Sequence, residues 1–289
     1  MNTNIEITLD TEMDELAAEE LLDQALEQFD YVVKKFSRFD SKSEINKLNQ
    51  NSGKYFKVSE ELFTLVQLAL QASRESDYIY DPTIIDLLKA YGYGKSYDPG
   101  NIVEKLNVPN FRAEIDQIIK SRHNPSEIEM DEQNLTIKLA KGQQIDLGSI
   151  GKGYAIDLSR KVLEHAGVSD FLINAGGDIY AGGSKKVALF DPRNPDEPFD
   201  TIEVENQALA GSGSFARKVG IFSHLINLKK LSSSDEIKNE NEILQTYVIA
   251  PTATEADLYA TVLFLSGETG LSILKAKGYT GIIISNKEE

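Results

Sequence analysis

The sequence predicts an α+β fold, mixed, with largely antiparallel sheets and helices packed against them. Three observations support this class. A long helical periodicity opens the chain, a hairpin pattern lies in its middle, and helices and strands then alternate without the strict βαβ order of a doubly wound sheet.

Residues 12–36 read as one long helix, because Met13, Leu16, Ala17, Ala25, Leu26, Phe29, Val32, Val33 and Phe36 recur at three- and four-residue steps. Ser59 precedes Glu60 and Glu61, a cap and an acidic first turn for a helix through Ala72. Ile128 and Met130, then Leu135, Ile137 and Leu139, alternate on either side of "DEQN", the signature of a hairpin. A glycine-rich stretch, "IDLGSIGKGYAID" (Ile145 to Asp157), leads into a helix striped by Ala155, Leu158, Val162, Leu163 and Ala166 and stopped at Gly167. "DFLINAGGDIYAGG" reads as strand, glycine turn and strand, and "TYVIA" as a further strand. A helix over Asp257 to Ser266 ends at Gly267, and "GIIIS" closes the chain as a buried strand. Two lysine- and glutamate-rich segments, near 228–243 and at the C-terminus, read as solvated.

The 289 residues allow either one large domain or two fused halves, and a hydrophobic content of 41% supports a sizeable core. No apolar run approaches the roughly 20 residues of a membrane span. "MNTNIEITLD" lacks the basic and apolar regions of a secretory signal, so the expected location is cytoplasmic as the sequence stands. If a leader has been trimmed away, the alternative is a membrane-anchored, extracytoplasmic lipoprotein. With no cysteine, disulfides and thiolate metal sites are excluded. The net charge of -16 disfavours nucleic acid and anionic lipid as partners, because affinity for both comes mainly from lysine and arginine. A phosphate ligand on so acidic a chain calls for a metal cation.

The glycine-rich stretch is not a P-loop. Counting back from Gly151-Lys152, the required first glycine falls on Asp146, and the residue after the lysine is Gly153 rather than serine or threonine. Gly148, Gly151 and Gly153 do not give the dinucleotide fingerprint either. Two readings stay open: a structural turn before a helix, or an anion site made of close backbone N–H groups, a helix N-terminus and Lys152. "TATEADLYATVLF" places Asp257 and Thr261 four apart, on one face of a helix. That pair offers the oxygen donors Mg2+ accepts, although an amphipathic helix with a capping carboxylate explains the same spacing.

"DLGSIGKGYAID", "NAGGDI" and "EADLYATVLF" together resemble the FAD:protein FMN transferase family, the ApbE family. "FSRFDSKSEINKLN", "YDPTIIDLLKAYGYG" and "GSGSFAR" are similar to further segments of the same family in the same order, and "MNT" stands where the family has methionine-glycine-threonine. The resemblance covers nearly the whole chain. It implies a single ApbE-like domain over residues 1–289 with an FAD cleft. It also implies a Mg2+-dependent enzyme that moves the FMN part of FAD to a threonine or serine hydroxyl of an acceptor flavoprotein and releases AMP.

By position, the resemblance places the metal on the Ser149 carbonyl, Asp257 and Thr261. It places FAD against Met1, Phe39, Tyr80, Asp81, Asp146, Lys152 and Ile226, with Phe39 and Met1 standing where the family has an aromatic against the flavin and a flavin-facing methionine, although Phe39, Tyr80 and Ile226 also suit ordinary core packing. Catalysis is assigned to His224 and Asp257, with His224 the candidate general base. Two departures from the family pattern stand out: Asn2 replaces the expected glycine, and "HLINLKKLSSSDEIKNEN" replaces the aspartate-proline-threonine-glycine turn after the histidine. An FAD pyrophosphatase and a non-catalytic FAD-binding protein are the alternatives on the same residues.

Overall fold

A computed structural model describes residues 3–93, 111–213, 225–229 and 243–286. In chain order its elements are β1 (Ile5–Asp10), α1 (Glu15–Phe36), α2 (Glu44–Gln50), β2 (Phe56–Lys57), α3 (Glu60–Glu75), α4 (Ile85–Ala90) and α5 (Phe111–Ser121). A short 3-10 turn at Pro125–Glu127 precedes β3 (Glu129–Asp131) and β4 (Thr136–Lys138). There follow α6 (Gly151–His165), β5 (Asp170–Ala175), β6 (Asp178–Asp191), β7 (Asn194–Gly213), β8 (Ile243–Ala250), α7 (Ala253–Ser266), α8 (Glu268–Lys277) and β9 (Thr280–Ser285). The α+β class holds, and every strand pairing among the described residues is antiparallel.

The chain forms two compact units, one made of Met1–Lys35, Gly148–Gly213 and Glu242–Glu289, the other of Phe36–Leu147 and Ser214–Asn241. The first is built on a six-stranded sheet in the order β1-β5-β6-β7-β8-β9. Along β5, Phe171, Ile173 and Ala175 are buried while their neighbours are only half-covered, the period-two pattern of a sheet with one face in a core. Gly176 and Gly177, with φ of 65° and 96°, make the turn that joins β5 to β6. Helix α6 packs on β5, β6 and α7, and α7 packs on β7 and β8.

Several boundaries differ from the sequence expectation. Helix α1 starts at Glu15, where the Asp14 carboxylate accepts from the Ala17 N–H at 3.1 Å. Its buried stripe is Leu21, Ala25, Phe29, Val32 and Phe36, and Leu16 and Leu26 face solvent. The Ser59 cap is present, its hydroxyl accepting from the Leu62 N–H at 3.2 Å, but α3 runs on to Glu75. "GIIIS" lies in β9, at the sheet's edge, and only Ile284 of that strand is buried, because an edge strand lacks a neighbour on one side. The full β6–β7 hairpin and α8 lie beyond the elements expected from the sequence. Residues 194–201 at the hairpin's outer end are exposed throughout and lack apolar alternation, whereas Val187, Leu189, Ile202 and Val204 further in do alternate and pack together, and α8 starts directly from the glycine that stops α7.

The second unit holds α2 to α5 and a three-stranded sheet in the order β2-β4-β3. The expected hairpin is there, with Met130 opposite Ile137 and Asp131 opposite Thr136. None of the described helices is long and apolar enough to cross a membrane.

Candidate functional site

In the first unit, chemistry gathers where α6 begins. Gly153, in its first turn, lies against the start of α7, where a β-carbon would meet the Ala253 carbonyl oxygen. This closeness lets the Gly153 N–H donate to Asp257 Oδ2 at 3.0 Å. Lys152 Nζ stands 3.9 Å from Asp257 Oδ1 and is also ion-paired with Asp178 at the start of β6. Asp178 is 2% exposed, and its Oδ1 accepts from the Gly211 N–H of β7 at 3.0 Å. Asp257 is 4% exposed, and burial pushes its carboxyl above the usual range against the opposing pull of Lys152 and the Gly153 N–H. One turn along α7, the Thr261 hydroxyl shares a 3.1 Å hydrogen bond with the hydroxyl of Ser212. Asp157 accepts from the N–H groups of Ala253 and Thr254, both at 2.9 Å, so α6 supplies the carboxylate that caps α7.

The second unit holds a separate cluster. The Asp146 N–H donates to the Pro82 carbonyl at 2.8 Å, and buried Asn49 bonds the Ile145 backbone through both its amide groups, at 3.0 and 2.8 Å. Arg38 Nε lies 3.4 Å from Asp146 Oδ2, and its guanidinium sits 4.3 Å from the centre of the Phe39 ring. The Phe39 loop is stapled by the Asn46 side chain, which donates to the carbonyls of Ser37, Arg38 and Asp40. Asp81 is buried, accepts from the N–H and hydroxyl of Thr83, both at 2.7 Å, and is ion-paired with Arg122 at 2.6 Å. The tyrosine-aspartate-proline-threonine turn is thus held from within.

Comparison with known proteins assigns this chain to a family: the ApbE family matches over residues 1–283. The chain belongs to the ApbE family. Two relatives named FAD:protein FMN transferase and two solved structures that carry the ApbE name illustrate the likeness. The FAD:protein FMN transferase of Escherichia coli (strain K12) is 23% identical over 242 residues, covering 80% of this chain and 66% of the relative, so the chain spans just under two thirds of that protein's length. The FAD:protein FMN transferase of Klebsiella pneumoniae (strain 342) is 27% identical over 244 residues, covering 82% of this chain and 73% of the relative. The crystal structure of the ApbE protein from Thermotoga maritima superposes with a TM-score of 0.82 at 25% identity, over 98% of this chain and 91% of that one. The flavin transferase ApbE from Vibrio cholerae superposes with a TM-score of 0.80 at 20% identity, over 100% of this chain and 92% of that one, and supports the ApbE-like fold.

Set against the ApbE assignments, Lys152, Asp257 and Thr261 fall in the first unit's cluster, with Ser149 in the turn just before α6. Phe39, Asp146, Tyr80 and Asp81 fall in the second unit. Phe39 is 49% exposed, Tyr80 is buried, and the Asp81 carboxylate is engaged by Thr83 and Arg122. Ile226 is buried in an apolar cluster with Leu87, Leu88, Tyr91, Tyr93 and Ile115. Met1 and His224 lie outside the described residues. Sequence reasoning gave no role to Asp157, Asp178 or Arg38. Asp157 and Asp178 stand inside the motifs "DLGSIGKGYAID" and "NAGGDI", and Arg38 inside "FSRFDSKSEINKLN", which is the only signal that marks them.

The donors beside Asp257 suit a hard cation. They are the buried Asp257 carboxylate and the hydroxyls of Thr261 and Ser212, with the buried Asp178 carboxylate also paired with Lys152 and no sulfur or imidazole, and Mg2+ is commonly held by one or two carboxylates with the rest of its shell from water and substrate phosphate. Among the described residues no group of three or more histidine, aspartate or glutamate side chains is gathered for a metal.

Proposed function

We propose that this chain is an FAD:protein FMN transferase. In this reading it moves the FMN part of FAD to a threonine or serine hydroxyl of an acceptor flavoprotein and releases AMP. The names of its relatives support this reading, and the single observation that carries it is the meeting of Lys152, the Gly153 N–H and buried Asp257 at the start of α6.

A helix start and a lysine attract a diphosphate. Here, though, one lysine faces two buried carboxylates, Asp178 and Asp257, and that balance repels a diphosphate unless a cation joins it. The Asp257 carboxylate, the Thr261 hydroxyl and the Ser149 carbonyl are the groups that would hold Mg2+. When bound, Mg2+ supplies charge neutralisation for the phosphate oxygens. In the transfer, the acceptor hydroxyl oxygen forms a bond to the FMN phosphorus, the bond from that phosphorus to the bridging oxygen breaks, and AMP carries the bridging oxygen away. His224 is the assigned base for the hydroxyl proton. Lys152 orients the diphosphate, and Phe39, Tyr80, Asp81, Asp146, Ile226 and Met1 are the remaining FAD-binding assignments.

The test is to incubate the chain with FAD, Mg2+ and a candidate acceptor, then weigh the acceptor and measure AMP. The expected result is an FMN adduct on the acceptor with one AMP for each. Free FMN and AMP formed equally well without acceptor would make the chain a pyrophosphatase, and FAD bound with no AMP released would make it a binding protein; either result overturns the transfer reading.

A further inference from the structure

We propose that Arg38 is a positioning residue for the flavin end of FAD, an inference that rests on the FAD assignments of Phe39 and Asp146. Arg38 joins three groups from separate parts of the second unit. Its Nε pairs with the Asp146 carboxylate at 3.4 Å, its Nη2 donates to the Tyr93 carbonyl at 2.8 Å, and its guanidinium carbon lies 4.3 Å from the Phe39 ring centre. Only arginine can do all three, because its planar fork donates in two directions while its face stacks on a ring; a lysine ammonium is a point charge with no face.

The backbone at Phe39 and at Asp146 is held without Arg38. Asn46 staples the loop 37–40, Asn49 clamps Ile145, and the Pro82 carbonyl takes the Asp146 N–H. Arg38 therefore sets where two side chains point rather than whether the unit folds. The arginine and aspartate side chains are sheltered, 13% and 18% exposed, whereas Phe39 is 49% exposed. An aromatic ring braced by a cation and still half open to solvent is a stacking platform whose rotamer has been chosen before the ligand arrives. Fixing it in advance saves the ordering cost that binding would otherwise carry.

The experiment compares Arg38→Lys and Arg38→Met with the unaltered chain for FAD affinity, KM and kcat, for inhibition by ADP, and for thermal unfolding. ADP carries the diphosphate and adenosine but no flavin. The expected result is a rise of about tenfold or more in Kd and KM for FAD, equivalent to ~1.4 kcal/mol, with kcat changed less than about threefold, ADP inhibition unaltered and folding retained. If Arg38→Met fails to fold, Arg38→Lys decides the matter alone. Unchanged FAD affinity in a folded variant, or equal losses for FAD and ADP, overturns the inference while leaving the transferase reading standing. Loss of folding in both variants also overturns it, because Arg38 would then be a support of the fold. If the unaltered chain binds no FAD, the transferase reading fails and the inference fails with it.

Discussion

Gly153 of α6 and Ala253 of α7 meet backbone to backbone: a β-carbon at Gly153 would stand 2.1 Å from the Ala253 carbonyl oxygen. The two helices touch where only a hydrogen fits. The same closeness brings the Gly153 N–H to Asp257, 104 residues away in the chain.

Gly153→Ala is therefore expected to destabilise the protein by about 1–3 kcal/mol, the usual cost of forcing a methyl into a filled space, and to disturb the Asp257 carboxylate. Gly151→Ala is the control, since nothing lies within 4 Å of its β-carbon; in the first turn of a helix this change is expected to be neutral or stabilising by up to about 1 kcal/mol. Urea unfolding of both variants measures the difference. Equal effects would mean that the helix contact is looser than described.

Asp157→Ala removes the acceptor for the Ala253 and Thr254 N–H groups and the Thr254 hydroxyl. A lost helix cap combined with buried donors left without partners predicts a cost of about 2–3 kcal/mol. The midpoint of chemical unfolding at constant m-value is the measurement. A change below about 0.5 kcal/mol would show that α7 does not depend on this carboxylate.

Asp257→Asn tests both charge and metal. Burial raises the folded-state pKa of Asp257 above its ordinary value of 3.8, so over the window from there up to the raised pKa the native state holds a proton that the unfolded chain has released. Stability from this group is thus greatest at low pH and falls as pH rises through that window. Without metal, the unaltered chain should lose stability relative to Asp257→Asn as pH climbs. Adding Mg2+ should raise the unfolding temperature of the unaltered chain more at higher pH, once the carboxylate has ionised, and should leave the variant unchanged. A Mg2+ shift of equal size in Asp257→Asn would remove Asp257 from the metal site.

Arg122→Met leaves the buried Asp81 carboxylate without its cation. Breaking a buried pair from one side costs about 3–5 kcal/mol. Adding Asp81→Asn to Arg122→Met should cost less than the two single changes summed, because the second change removes the charge that the first stranded. Additive losses in a double-mutant cycle would show that the pair does not act as a unit.

What was legible in the sequence is local. The Ser59 cap, the hairpin around residues 131–134 and the glycine stop at Gly267 each depend on neighbours a few residues away, and each is present. The four-residue step from Asp257 to Thr261 likewise fixed their shared place on α7. Leu16 and Leu26 belong to the periodicity that marks the helix yet face solvent, because periodicity marks every apolar residue near a stripe, whereas the fold decides which of them it covers. "GIIIS" was read as buried because its composition suits a central strand, and its position at the end of the strand order could not be seen in it.

By itself the sequence determined an α+β chain without cysteine, an acidic surface, and motifs that place it in the ApbE family. Only the tertiary structure decided that Lys152 is shared by Asp178 and Asp257, that Asp157 caps a helix 96 residues further along the chain, and that Arg38 braces both Asp146 and Phe39. The physical reason is range. Helix and strand patterns record the side-chain repeat of one segment, whereas the partner of a buried charge is whichever group folding brings within about 4 Å, and nothing in the spacing along the chain encodes it.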